Sequence, residues 1–313
     1  MIRKPKFWEE NNLSILSILF LPFTIPFRVN NFFFDYYQKF KTKKIFSICV
    51  GNIYIGGTGK TPITIKLFNI IKKINKKTVT AKKFYRSHND EIILLRKKTK
   101  FITGTNRVQI VKKAIKNKDK IIIFDDGLQD KKIDYHLKFA CFNSSNWIGN
   151  GHIIPSGPLR ESLASLKRVD AIFLKNIDKP NQNIKGIIKK INPKIKIFDT
   201  SYKIKNLKKF NLKNKYIIFS GIGNPESFEI LLKKNKFKII KYFKYPDHYE
   251  YNKNDILKMI NMANLQQAQI LTTEKDYVKL SKVFKKKINF IDIELSIAKE
   301  RKLIQFLKLK MNE

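Results

Sequence analysis

Apolar positions along this chain keep two rhythms that take turns. Residues 45–50 form a continuous apolar, β-branched run, the pattern of a strand buried on both faces. Just beyond it, Ile63, Leu67, Ile70, Ile71 and Ile74 recur at helical spacing. The alternation continues with a short strand over 78–81, a polar loop over 82–91, a helix over 108–116 and strands over 120–124, 137–142 and 171–174. Alternation of this kind predicts an α/β fold, a mainly parallel sheet with helices on both faces. The Lys/Asn-rich stretch 183–215, with short β runs of which 195–201 is one, reads as a linker. After it the rhythm restarts, with strands over 216–220, 238–243, 269–271 and 288–293 separated by helical segments, and a final helix runs to Met311. The expected organisation is a segment 1–44, a first α/β domain over 45–182, the linker, and a second, smaller α/β domain over 216–313.

The first segment has a different pattern. Residues 13–27 are apolar but interrupted by Pro22 and Pro26, and the run is shorter than the roughly 20 residues a spanning helix needs. Aromatic residues Phe32, Phe33, Phe34, Tyr36 and Tyr37 follow, with Arg28, Lys39, Lys41, Lys43 and Lys44 around them, a mixture suited to a headgroup layer. A segment lying in the membrane interface is therefore expected. A secretory signal is disfavoured because no small-residue cleavage site follows, and a helix packed on the core is the remaining alternative.

Composition adds one strong feature. The 313 residues include 65 Lys+Arg against 25 Asp+Glu, a formal charge of +40, which calls for anionic company: nucleic acid, an anionic membrane face or phosphorylated substrates. The excess is mostly Lys, and Lys, Asn and Ile are enriched together throughout, so part of it is general composition rather than a binding face. The two cysteines, Cys49 and Cys141, sit in apolar strand-like runs and read as small core residues.

Candidate chemistry begins where the first strand ends. Gly56, Gly57, Thr58, Gly59, Lys60 and Thr61 separate it from the amphipathic helix, and Pro62 suits a first turn. Strand, glycine-rich turn, Lys-Thr and helix in this order form a phosphate cradle: backbone N–H groups face an anion, Lys60 reaches the phosphates and the Thr61 hydroxyl can ligate Mg²⁺. The strict spacing would have glycine at position 54, where this chain has Tyr54, and the earlier glycine is Gly51, as in a lengthened loop. Asp125 and Asp126 close another apolar strand, the place from which P-loop enzymes hold Mg²⁺, although paired carboxylates there also serve as solvated turn residues.

Taken together, Gly51-Asn52 with Gly56 to Pro62, Asp90-Glu91, Asp125-Asp126-Gly127-Leu128-Gln129, Gly149-Asn150-Gly151, Pro155-Ser-Gly-Pro-Leu-Arg-Glu161, Phe219 to Pro225, Pro246-Asp247-His248-Tyr249 and Thr273-Glu274-Lys275-Asp276 resemble the tetraacyldisaccharide 4′-kinase family of lipid A biosynthesis. The resemblance runs in order over most of the chain. It implies a P-loop NTPase-like enzyme that moves the γ-phosphoryl group of ATP, with Mg²⁺, to the 4′-hydroxyl of a tetraacyl glucosamine disaccharide 1-phosphate at the cytoplasmic side of the inner membrane. It also implies roles for residues. Asp90 would accept the hydroxyl proton, with His248 as its partner from the second domain, and Lys60 would neutralise phosphate charge. Nucleotide contacts fall to Gly56, Gly57, Thr58, Gly59, Lys60, Thr61 and Gln129, and Mg²⁺ contacts to Thr61, Asp125, Asp126 and Glu161. Two departures stand out. Lys82-Lys83-Phe84-Tyr85 replaces the family's Ser-Arg-Gly-Tyr, leaving Lys83 and Tyr85 as the expected acceptor contacts, and Leu128 and Asp130 replace an aromatic residue and a histidine. Arg107 also matches a family position.

Two other readings compete. A P-loop nucleic-acid-binding protein would use the +40 charge, but no nucleic-acid motif is present, and no nucleic acid is expected as a partner. A membrane adaptor using nucleotide only as a switch would make the Asp90 and His248 matches coincidental.

Overall fold

The computed structural model describes residues 5–10, 14–33, 39–74, 77–84, 89–130, 132–176 and 179–312. Contacts divide the chain into two compact units, one of Ile2–Phe84, Lys98–Ser201 and Ile297–Glu313, the other of Tyr85–Lys97 and Tyr202–Ser296. Asp90 therefore belongs to the same unit as His248, and the helix Glu300–Asn312 to the unit that contains the glycine-rich turn.

In the larger unit, parallel strands lie in the order Lys196–Ile204, Ala171–Lys175, Leu137–Asn143, Phe46–Gly51, Ile121–Asp125, Thr78–Lys83 and Phe101–Gly104. Phe46–Gly51 is central, and its Ile48, Cys49 and Val50 are fully buried, which accounts for an apolar run broken only by Ser47, itself buried and bonded to Thr42 and His136. Residues of the helices Lys60–Lys73, Arg107–Lys116 and Gln182–Ile191 supply further buried positions, among them Leu67, Ile110 and Ile188. The helix Gln182–Ile191 and strand Lys196–Ile204 occupy much of the stretch read as a linker. Ile184, Ile187, Ile188 and Ile191 keep the i, i+3, i+4, i+7 spacing of a helix, so the linker expectation gave the surrounding Lys and Asn too much weight, and Asn181 caps the helix through the N–H of Ile184. Cys49 and Cys141 are buried free thiols.

The smaller unit has a parallel sheet of its own, in the order Lys238–Lys244, Lys215–Ser220, Ala268–Thr273 and Asn289–Ile291. Ile217 and Phe219 point to one core with Ile256, Met259 and Ile260, and Tyr216 and Ile218 to another with Phe228 and Leu232, so the sheet is covered on both faces. The helix Asn89–Lys98 begins inside the stretch read as polar loop. Asp90 and Glu91 occupy its first turn, where acidic side chains complement the helix dipole, and Ile92 and Leu95 are buried.

In the N-terminal segment the described residues form short helices, Ile15–Leu19 and Ile25–Phe32, with a turn of tighter helix, Pro22–Thr24, between them. No helix among the described residues is long and apolar enough to cross a membrane.

Candidate active site

The larger unit assembles the glycine-rich turn around Asn52, which is fully buried. Its amide donates to the carbonyls of Tyr54 (2.5 Å) and Gly56 (3.3 Å), and its Oδ1 accepts from Lys60 Nζ at 3.2 Å. Tyr54, standing where a shorter loop would carry glycine, is buried against Ile153 and Leu159. The lengthened turn is pinned to the Pro155–Glu161 string: the N–H of Ile55 donates to Pro158 O (2.8 Å) and that of Arg160 to Ile53 O (2.7 Å). Gly59 caps the helix Lys60–Lys73 at φ 84°, a left-handed conformation that favours glycine. The Thr58 hydroxyl, just before it, is buried with no hydrogen-bond partner among the described residues. An orphaned donor beside the open N–H groups of a helix start fits a bound phosphate.

Asp125, at the end of Ile121–Asp125, is wholly buried and fully engaged. Its Oδ2 accepts from Thr61 Oγ1 and from Lys82 Nζ, both at 2.9 Å, and its Oδ1 from Thr64 Oγ1 at 3.3 Å. Asp126 adopts a left-handed φ of 66°, its carbonyl receives the Arg107 guanidinium, and its carboxylate meets Arg160 (3.2 Å) and Lys60 (3.5 Å). Gln129 links these groups onward: its Nε2 donates to Asn52 O and to Glu161 Oε1, each at 2.9 Å, while its Oε1 accepts from Arg160 (3.1 Å). Glu161 is also held by Arg168. Thr61 is thus joined to Asp125, and Asp126 to Glu161 through Arg160 and Gln129. No cluster of three or more acidic, His or Cys ligands occurs among the described residues. Mg²⁺ in phosphoryl-transfer sites takes one or two protein oxygens and otherwise water and phosphate, so this donor set remains compatible with it.

Lys82 is the residue the sequence concealed. It lies in a departure from the family pattern, yet it is 1% exposed and neutralises Asp125 from the adjacent strand, as the Thr80↔Ile123 and Ala81↔Phe124 register allows. Removing one partner of a buried ion pair leaves an uncompensated charge. Lys82→Met is expected to lower unfolding free energy by about 3–5 kcal/mol, read from urea denaturation.

The smaller unit holds a second constellation. Asp90 is buried, and its carboxylate lies 3.0 and 3.1 Å from His248 Nδ1. Lys275 and Lys279 stand 3.5 and 3.4 Å from Asp90 Oδ2, and the Glu91 N–H donates to Oδ1 at 2.8 Å. Burial by itself raises the Asp90 carboxyl, but the His248 hydrogen bond and the two ammonium groups outweigh it and hold the group well below the usual carboxylate range. For Lys275 burial works against the ammonium, and the carboxylates of Asp247, Glu91 and Asp90 reverse that, raising it above an ordinary lysine. His248 has a left-handed φ of 61°, and its N–H donates to Gly221 O (3.2 Å) and Asp247 Oδ1 (3.1 Å). A strained non-glycine residue tied to a buried carboxylate is the kind of feature that clusters at functional sites. His136 and His152 do not join this group; His136 bonds Ser47 and Thr42. Lys83 is partly buried, whereas Tyr85 lies outside the described residues.

A glycine-capped helix start beside a Thr-Asp pair at the end of a parallel strand is the arrangement of a P-loop protein. The family model described as "Tetraacyldisaccharide-1-P 4'-kinase" matches residues 12–312, and the chain belongs to that family. It is 43% identical over 312 residues to the tetraacyldisaccharide 4′-kinase of Pelagibacter ubique, covering 100% of this chain and 99% of that one. With the enzyme of the same name from Rickettsia typhi it shares 33% over 317 residues, 94% of each chain. Among solved structures, LpxK from Aquifex aeolicus in complex with ATP superposes with a TM-score of 0.70 at 21% identity, covering 95% of this chain and 100% of that one, which supports the shared fold. The chain is a kinase.

Proposed function

We propose that this kinase phosphorylates the 4′-hydroxyl of a tetraacyl glucosamine disaccharide 1-phosphate, with ATP as donor and Mg²⁺ as counter-ion. The observation that carries the reading is the Thr58 to Thr61 turn: an orphaned buried hydroxyl, a left-handed glycine and a lysine at one helix start. Bound there, ATP supplies the phosphoryl group and Mg²⁺ spreads its charge. Gly56 to Thr61 would cradle the phosphates, Lys60 would neutralise them and Gln129 would contribute from the neighbouring strand end. Thr61, Asp126 and Glu161 are the metal-facing oxygens, with Asp125 orienting Thr61 through their 2.9 Å hydrogen bond. Asp90 is the acceptor for the hydroxyl proton. Since phosphoryl transfer leaves the protein mostly positioning and charge neutralisation to do, dense pairing among these side chains suits the task. Purified protein with labelled ATP, Mg²⁺ and the disaccharide 1-phosphate in detergent should yield a bisphosphorylated lipid; no transfer to this acceptor would overturn the assignment.

We also infer association with the cytoplasmic face of the inner membrane, and the N-terminal segment supports it. Its polarity is inverted: Ser17 and Thr24 are buried while Ile15 (85%), Leu19 (64%) and Phe23 (62%) are exposed. The polar side bonds the protein, Ser17 Oγ accepting from Asn150 Nδ2 (2.9 Å) and Ser17 O from Ser156 Oγ (2.7 Å). Each exposed apolar side chain is worth about 1.5–3 kcal/mol if buried in an acyl layer. Replacing Ile15, Leu19 and Phe23 together by serine should weaken sedimentation with anionic vesicles by at least about tenfold; unchanged binding would place the anchor elsewhere.

A further inference from the structure

We propose that Lys275 is a positioning residue for the Asp90–His248 pair, selecting the imidazole tautomer that directs an N–H at Asp90. This rests on the reading of Asp90 as the proton acceptor. Lys275 Nζ lies 3.4 Å from His248 Nε2, and an ammonium can only donate, so Nε2 is the acceptor. The ring proton is then on Nδ1, the nitrogen 3.0 Å from Asp90 Oδ1. The same ammonium bonds Asp247 Oδ1 at 3.0 Å and approaches Asp90 Oδ2 at 3.5 Å and Glu91 at 3.8 Å, so it links three of the carboxylates around the pair.

The backbone fixes this arrangement from one point. Gly221 donates its N–H to Asp276 Oδ2 (3.1 Å), next in chain to Lys275, and accepts at its carbonyl from the His248 N–H (3.2 Å). Lysine and histidine therefore hang from opposite sides of a single peptide residue. A Cβ at Gly221 would meet Pro246 O at 3.0 Å and Tyr251 Oη at 3.1 Å, which explains a glycine at this contact. Lys279 has a different duty: it pairs with Asp276 (3.0 Å), donates to Tyr249 O (3.2 Å) and adds charge beside Asp90.

Among the described residues the groups facing Asp90 include His248, Lys275, Lys279 and Glu91, with Asp247 and Asp276 behind the two lysines. Taking away the Lys275 charge leaves the carboxylate easier to protonate, so the acid limb of kcat moves to higher pH. Lys275→Met is expected to lower kcat about 10- to 100-fold, with KM for ATP and acceptor within about twofold and Lys275→Arg restoring part of the loss. Long-range ¹H–¹⁵N correlation on ¹⁵N-histidine-labelled full chain in detergent, with the His248→Gln spectrum identifying the signals, should show an unprotonated Nε2 in the wild type and a tautomer mixture in Lys275→Met. A wild type with Nε2 protonated, or a Lys275→Met protein with unchanged tautomer and unchanged pH limb, would overturn the proposal. If Lys275→Met does not fold, Lys275→Gln and Lys275→Arg are judged by the same spectrum. The spectrum does not depend on the acceptor lipid, so a failure of the kinase reading would show in turnover and leave the tautomer result standing on its own.

Discussion

Lys60→Ala should lose phosphoryl transfer by about 10³-fold or more while the fold persists. The Lys60 side chain is 12% exposed and its ammonium is shared between Asn52 Oδ1 (3.2 Å) and Asp126 Oδ2 (3.5 Å). Both partners have other bonds, Asn52 to the Tyr54 and Gly56 carbonyls and Asp126 to Arg160, so truncation leaves the turn intact. Absent from the variant is the flexible cation at the start of a helix whose N-terminal N–H groups suit a bound phosphate. Charge that develops on transferred phosphoryl oxygens is stabilised far more by such a group in a sheltered site than in water. Turnover in the presence of saturating ATP and an unshifted thermal midpoint are the two readings needed. Wild-type turnover would remove the glycine-rich turn from the chemistry.

Asp90→Asn should lower kcat by about 10²-fold or more, the range typical of a lost proton acceptor, with a smaller effect on KM. Asparagine keeps the shape and can still accept from His248 Nδ1, but it removes the charge that balances Lys275 and Lys279. The pH dependence has a definite sign. The Asp90 carboxyl is held below its ordinary range in the folded protein, so its contribution to stability is complete above that range and is lost as pH falls through the folded value. In the Asn variant that acid-side loss should disappear from the stability profile, which thermal unfolding between neutral and strongly acidic pH would measure. An unchanged kcat would remove Asp90 from the mechanism and leave the carboxylate–imidazole pair a structural one.

The two constellations were legible to different degrees. Residues 56–62 could be read because a phosphate cradle is local: strand, glycines, Lys60, Thr61 and helix follow one another, and each constrains its neighbours through backbone geometry. The Asp125-Asp126 pair was visible for the same reason, lying at the end of an apolar strand. Asp90 and His248 were reachable only through family resemblance, since 158 positions separate them and neither has a distinctive local setting. Lys82 and Lys279 gave no usable signal, and Lys275 entered only within the Thr273–Asp276 string, with no role attached. In a chain with 65 Lys and Arg, nothing in a lysine's immediate sequence tells whether it will be solvated or buried against a carboxylate.

By itself the sequence determined the strand and helix rhythm, the phosphate cradle, the short apolar run at the N-terminus with its aromatic and basic flank, and the family. Only the tertiary structure decided that Asp90 falls in the smaller unit, that Lys82 neutralises Asp125, and that Lys275 stands between Asp247 and Asp90. The reason is common to all three. Local pattern reports which face of an element is apolar, whereas the fate of a charge is settled by the group from a distant strand or loop that folding brings within about 3 Å of it.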